Sequence, residues 1–357
     1  MQNSIQRSPA LQGLNRRRFL ATAATLAAAP ALLTLPGQAA EARQKVRLAT
    51  LMPKDTSGHK ALTAMADRLR QTTGGRVDIT NIYTDGVMGS ESDMLRRIRA
   101  GQLHAALLTA GGLAEIERSV ICLQDMPLLF GSLEEFTAVR DSMLQRFRER
   151  MLEKGFMLLF LGDAGWVRYF SKTKALLPDD FRRLKLFANR NDDKYIKTMR
   201  RAGFQPVPLE FTDILQALSS GNMLDALACP PFYALAGQFY TAAQHMVELN
   251  WAPMVGGAVI SRKVWDPLSD ADKEALLKVA VETGKAIETS SRRESDEAVA
   301  AMKKRGLQVH TLDAPAKAAW DKFATELRGM VRGELVPADL FDEVTRAVQA
   351  QRAKAGQ

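Results

Sequence analysis

Between residues 45 and 108 the chain changes its hydrophobic period four times. Lys45-Val46-Arg47-Leu48-Ala49-Thr50 alternates like a half-buried strand. Leu62, Met65, Ala66 and Leu69 then fall at helical spacing, and Gly74-Gly75 supplies a helix stop. Val77, Ile79 and Tyr83 mark a second strand. Leu95 and Ile98 mark a short helix that Gly101 ends, and residues 105–108 read as a third strand. A βαβαβ order predicts a parallel α/β layer with right-handed crossovers and helices on both faces. Further on, Ser132-Leu133-Glu134-Glu135 has the form of a capping box. It opens a helix whose buried stripe is Phe136, Val139, Met143, Phe147 and Met151, closed by Gly155. Residues 156–161 are continuously apolar, as in a strand covered on both sides that crosses between domains.

The same logic restarts near Gly165. Strands are predicted at 185–188, 207–209 and 224–229, with helices centred on Ile196 and Met199 and on Ile214, Leu215 and Leu218. Residues 257–261 read as one further strand. Ser269 can cap a helix that continues without proline from about Asp270 to Arg305. At ~1.5 Å per residue it would exceed ~50 Å, longer than one small domain is wide, so it must span both domains. Trp320, Phe323, Leu327 and Met330 mark another helix, and residues 340–348 the last. The predicted fold is α/β with two domains and one long helix spanning both. The division expected is 40–164 plus about 254–293 for the first domain, and 165–253 plus about 294–357 for the second.

The chain has 357 residues, 46% hydrophobic and 25% charged, enough core for two domains without a metal or disulfide staple. Its net charge of +9 is inflated by the first 39 residues, which hold Arg7, Arg16, Arg17 and Arg18 and no acid. The rest has 45 basic and 40 acidic residues, scattered, with no basic stripe of the kind that binds nucleic acid. Asn15-Arg16-Arg17-Arg18-Phe19-Leu20 fits a twin-arginine leader. A short alanine-rich stretch follows, and Gly37-Gln38-Ala39 offers a cleavage site. The expectation is export by the twin-arginine pathway to the periplasm. Cys122 and Cys229 either form a disulfide there or remain two separate buried thiols.

No phosphate-binding glycine loop, His-Glu-x-x-His, Cys-x-x-Cys or Gly-x-Ser-x-Gly occurs. His59, His104, His245 and His310 are isolated in sequence. The adjacent acids Asp179-Asp180 and Asp192-Asp193 do not face one another on a helix or strand, and fit caps or turns better than a catalytic dyad. Neither an enzyme nor a bound cofactor is expected.

Several short motifs, in order and at consistent spacing, do point to a function. They are Thr72-Thr73-Gly74-Gly75-Arg76-Val77, Gly86-Val87-Met88-Gly89-Ser90-Glu91, Asp125-Met126-Pro127-Leu128-Leu129-Phe130, Gly221-Asn222-Met223-Leu224-Asp225 and Trp265-Asp266-Pro267-Leu268-Ser269. Together they resemble the solute-binding subunits of TRAP (tripartite ATP-independent periplasmic) transporters, from Lys45 to about Leu327. The resemblance implies a two-domain periplasmic solute-binding protein whose lobes close on an organic acid in a ligand cleft between them, with delivery to integral membrane TRAP permease subunits. It also implies ligand contacts from Arg168 in Gly165-Trp166-Val167-Arg168, with Trp166 beside it, and from Glu91 and Phe211.

The chain departs from the family where the ligand floor is expected. The family's carboxylate-pairing arginine is replaced in Asp180-Phe181-Arg182-Arg183-Leu184-Lys185-Leu186-Phe187 by Phe187. Its polar segment after Asp225 becomes Ala226-Leu227-Ala228-Cys229, its helix tyrosine becomes Leu215, and Asp213 stands for a glutamate. Phe187, Leu215 and Cys229 thus remove polar groups, and a buried carboxylate without a partner costs several kcal/mol. The ligand expected is an amphipathic or largely apolar acid, with Arg168 or Arg190 at its acidic end. Two alternatives stand beside it: Asn189-Arg190 as a shifted clamp for a dicarboxylate, and a periplasmic carrier of hydrophobic ligands not coupled to transport.

Overall fold

A computed structural model of the chain describes residues 43–355. The strands are β1 (Gln44–Thr50), β2 (Val77–Tyr83), β3 (Ala105–Thr109), β4 (Phe156–Ser171), β5 (Lys185–Asn189), β6 (Gln205–Leu209), β7 (Ala226–Cys229), β8 (His245–Ser261) and β9 (Gln308–His310). Helices precede or follow them: α1 (Ser57–Thr72), α2 (Glu91–Arg99), α3 (Ala110–Ala114), α4 (Leu133–Glu153), α5 (Pro178–Arg182), α6 (Asp193–Arg201), α7 (Ile214–Ser219), α8 (Pro231–Ala236), α9 (Arg262–Trp265), α10 (Asp270–Lys303), α11 (Ala314–Val331) and α12 (Ala338–Ala355).

One mixed sheet carries both lobes, in the order β2-β1-β3-β8-β4-β7-β5-β6, with β9 on the side of β8. Each outer part is parallel: β1 with β2 and β3, and β5 with β6 and β7. The two middle strands, β4 and β8, run antiparallel to each other and cross from one lobe into the other. Parallel strands need helical crossovers, and α1, α2, α6 and α7 supply them.

One hydrophobic cluster runs beneath the sheet through both lobes, from Ala49 and Leu108 to Tyr169, Leu186 and Trp320. On the opposite face there are two clusters: Leu48, Leu62, Phe160 and Leu276 in the first lobe, and Phe170, Ile214, Leu227 and Met246 in the second. Residues of α10 occur in both, Leu276 and Ile287 in one, Ala298 and Met302 in the other. The long helix therefore spans the lobes, as its uninterrupted pattern predicts. Ser269 caps it, accepting the Asp272 N–H at 3.2 Å.

β8 departs most from expectation. Only residues 257–261 read as a strand, yet β8 has 17 residues. Pro253 lies inside it, opposite Trp166, and residues 248–251 bulge between the pairs Val167↔Ala252 and Tyr169↔Val247. Proline and a bulge erase the alternation that marks a strand. β4 likewise continues past residue 161 to Ser171, through a bulge at Ala164-Gly165 where Gly165 has φ +88°. At Gly257 a Cβ would come within 2.6 Å of the Phe160 carbonyl oxygen, so close approach of the crossing strands requires glycine there.

Smaller corrections concern side chains. Ser132 does cap α4, accepting the Glu135 N–H at 3.1 Å, but the Glu135 carboxylate takes the Gly131 N–H and Arg352 instead of closing a capping box. Strand β7 begins at Ala226 rather than at 224. His245 and His310 are not isolated: β8–β9 pairing stacks their rings, with Nδ1 of one 3.0 Å from Nε2 of the other. Cys122 and Cys229 are free and buried, so the disulfide does not form and the two-thiol alternative holds. Asp180 and Asp192 do cap: Asp180 accepts the Leu176 and Leu177 N–H groups, and Asp192 the Tyr195 N–H.

Candidate functional site

The carboxyl ends of the parallel strands converge between the lobes, where open α/β sheets bind ligands. Leu51 follows β1, Thr109 ends β3, Asn189 ends β5 and Cys229 ends β7. All four line one cavity of about 220 Å³. Apolar side chains form much of its wall: Ile121 and Pro127 from the first lobe, Val167, Phe187, Met199 and Phe211 from the second, and Trp251 from the β8 bulge. The bulge thus has a structural consequence, since it turns an indole toward the cavity between the crossing strands.

Four of the expected site residues, Glu91, Phe187, Phe211 and Cys229, meet in this cavity. Phe187 is half-buried and packs against the second-lobe cluster together with Phe211 and Leu215. Phe211 meets the Tyr233 ring edge-on at 5.8 Å. Leu215 supports that wall from the core and is not among the lining residues. Cys229 is buried and its thiol is pushed far up by desolvation, so it is an apolar wall group rather than a nucleophile.

Trp166 and Arg168 lie elsewhere. They line a neighbouring open depression with Arg292, Pro231 and the start of α4 at Ser132 and Leu133. Arg168 pairs in register with Cys229, so one ladder step separates it from the cavity wall. Its Nε is buried and has no hydrogen-bond partner. Arg190 is exposed and does not line the cavity.

The charged lining residues are all acids: Glu91, Asp125 and Asp192. Glu91 begins α2 and is satisfied from the first lobe: Thr109 donates its N–H at 2.5 Å and its hydroxyl at 2.7 Å. Desolvation still raises its pKa, against those bonds. Asp192 caps α6 and pairs across the cavity mouth with Arg118 at 3.1 Å. Asp125 differs. Its carboxyl makes no hydrogen bond or ion pair among the described residues. Burial, seconded by the charge on Asp192, pushes its pKa up to about 8, with Arg118 opposing. Asp125, Tyr195, Tyr233 and Trp251 were not singled out as ligand contacts from sequence, and Asn189 entered only with Arg190 in the alternative of a shifted clamp. For Asp125 a signal existed, since it opens the motif Asp125-Met126-Pro127-Leu128-Leu129-Phe130.

Two lobes on crossing strands, with an apolar chamber at the strand ends and no assembled catalytic group among the described residues, define a solute-binding protein. The chain belongs to the DctP family, bacterial extracellular solute-binding protein family 7, whose model matches residues 48–329. It is therefore a TRAP-type periplasmic binding protein, not an enzyme, which captures an organic acid and delivers it to membrane subunits. A solute-binding protein from Chromohalobacter salexigens is 23% identical over 291 residues, covering 77% of this chain and 83% of that protein. The sialic acid-binding periplasmic protein SiaP of Vibrio cholerae is 24% identical over 257 residues, covering 69% and 76%. The sugar acid binding protein DctPAm of Advenella mimigardefordensis, solved with galactonate, shares the fold with a TM-score of 0.79 at 16% identity, covering 87% of this chain and 99% of that one.

Proposed function

We propose that the acid captured here is amphipathic or largely apolar, bound with its body in the 220 Å³ cavity and its carboxylate turned toward Arg168. The observation that carries this is the absence of any basic side chain among the lining residues, with Phe187 where the family resemblance expects arginine. A carboxylate held against Phe187 would lose its hydration without a charged partner, at a cost of several kcal/mol. An apolar body there gains ~25 cal/mol for each Å² it buries. Arg168 supports the other end: its Nε is unsatisfied, and the strand pair to Cys229 keeps it beside the chamber. The lobes on which closure would act divide near 164/165 on β4 and near 293/294 on α10. We also assign export to the twin-arginine pathway on the strength of Arg16-Arg17-Arg18-Phe19-Leu20, which lies outside the described residues.

Relatives are solved with D-glucuronate and with galactonate, hydroxyl-rich acids that set the contrast for a test. Calorimetric titration is expected to give 3-phenylpropanoate an affinity at least about tenfold above that of D-glucuronate or succinate, and Arg168→Ala is expected to lose about tenfold, ~1.4 kcal/mol. Tight binding of succinate or D-glucuronate that disappears in Arg190→Ala would instead establish a shifted arginine clamp.

A further inference from the structure

One carboxyl lining the cavity has no partner among the described residues. The Glu91 oxygens are taken by Thr109, and Asp192 is taken by Arg118 and by the Tyr195 N–H. The Gln124 side-chain oxygen accepts the Val255 N–H at 2.8 Å. Asp125 remains, on the turn after the 118–123 segment, with its carboxyl on the chamber and no partner among the described residues. Asp125 is half-buried, and a carboxyl so placed on the chamber wall without a partner gains from a bound donor.

We propose that the solute carries an ammonium group as well as its carboxylate, and that Asp125 is the specificity-determining residue that receives it. The class is an apolar amino acid or a similar aminocarboxylate. This rests on the reading of the cavity as the solute site and adds to it the second polar end. No cation is among the described lining residues, so once Asp125 is ionised the lining favours a positive group and disfavours a second carboxylate. Phe187, Met199, Phe211 and Trp251 enclose the carbon skeleton between the two ends. A neutral hydroxyl could donate to Asp125, but it would leave the acidic field uncompensated, whereas an ammonium makes a charge-assisted bond.

Proton linkage gives a second signature. The groups facing Asp125 are Arg118 and Cys122 from its own segment, and Asp192 and Tyr195 from the second lobe. Burial holds the empty-site carboxyl neutral below about pH 8. An ammonium requires the anion, so binding releases a proton below that pH, and affinity falls as pH falls through it, by up to about tenfold per pH unit.

The test is a matched pair on the purified protein: L-phenylalanine against 3-phenylpropanoate, which differ only by the ammonium, titrated calorimetrically from pH 6 to pH 9. L-Phenylalanine is expected to bind at least about tenfold more tightly near pH 8, and to weaken toward pH 6 while 3-phenylpropanoate does not. Asp125→Asn is expected to reduce the difference to within about twofold and to flatten the pH profile. Its thermal unfolding without ligand, compared with that of the unaltered protein, checks that the variant folds. Asp125→Glu is expected to restore part of the preference. Equal binding of the pair, stronger binding of 3-phenylpropanoate, binding of neither, or an Asp125→Asn preference unchanged from that of the unaltered protein overturns the ammonium site. In the first two cases, if D-glucuronate binds more weakly than both, the apolar-acid reading survives. If D-glucuronate outcompetes both, that reading fails as well.

Discussion

In the proposed reading, Phe187 sets which charge the chamber accepts. It stands on β5 two residues before Asn189, on the sheet face it shares with Cys229, and it packs with Phe211 and Leu215. A guanidinium in its place would add one cation to a lining whose charged members are Glu91, Asp125 and Asp192. Phe187→Arg should therefore exchange specificity: affinity for D-glucuronate is expected to rise by about tenfold or more, and affinity for the apolar acid to fall by a similar factor, ~1.4 kcal/mol each. Parallel titrations of the two ligands read both changes. A variant that weakens both equally would mean that Phe187 only fills space. The importance of this residue is legible in the amino-acid sequence, because it sits in a motif whose other members are present. That of Asp125 is not. Its neighbours Asp192 and Tyr195 lie more than sixty residues away, and only the fold brings them to its carboxyl.

At the scale of elements, a polar network ties β4 to α10 and α4 in the crossing region. Asp163, buried on β4, accepts the Gly165 N–H at 2.8 Å and pairs with Arg292 of α10 at 2.5 Å. Arg292 also donates to Thr137 of α4 and contacts Glu288, which pairs with Arg140 at 2.9 Å. The bulge needs that acceptor: Gly165 has φ +88°, and a Cβ there would press on the Ser295 hydroxyl at 3.3 Å. Asp163→Ala strips Arg292 of a buried partner and orphans the Gly165 N–H. The expected loss is about 3–5 kcal/mol in urea unfolding, with Asp163→Asn, which keeps an acceptor, losing less. Equal losses would place the effect in packing rather than in the network. Elements of this kind divide by what forms them. The helix α10 is legible because its cap and period are local; β8 is not, because its register comes from β4 across bulges and a proline that local pattern treats as a break.

For the whole molecule, the question is what holds the two lobes together over the chamber. Among the polar links that join them are Arg118 to Asp192 at 3.1 Å, and the Asn191 Nδ2 to the Ser92 hydroxyl at 2.9 Å. Both lie at partly exposed side chains, so each is worth about a kcal/mol or less, too little to hold the lobes closed alone. A solute bound as proposed would touch both lobes at once, bind the closed form better than the open one, and so add to closure. The two-lobe arrangement and the spanning helix follow from periodicity alone, but these links do not, since Ser92 and Asn191 are ninety-nine positions apart. A residue that acts on closure has a different signature from one that reads the ligand. Asn191→Ala is expected to weaken every ligand by the same factor, about two- to tenfold, because it removes one hydrogen bond from the closed state whatever the chamber contains. The ratio of L-phenylalanine to 3-phenylpropanoate affinity should not move, whereas Asp125→Asn is expected to collapse it. If Asn191→Ala changes that ratio, the side chain contacts the solute itself, and closure must then be held by the Arg118–Asp192 pair and the ligand.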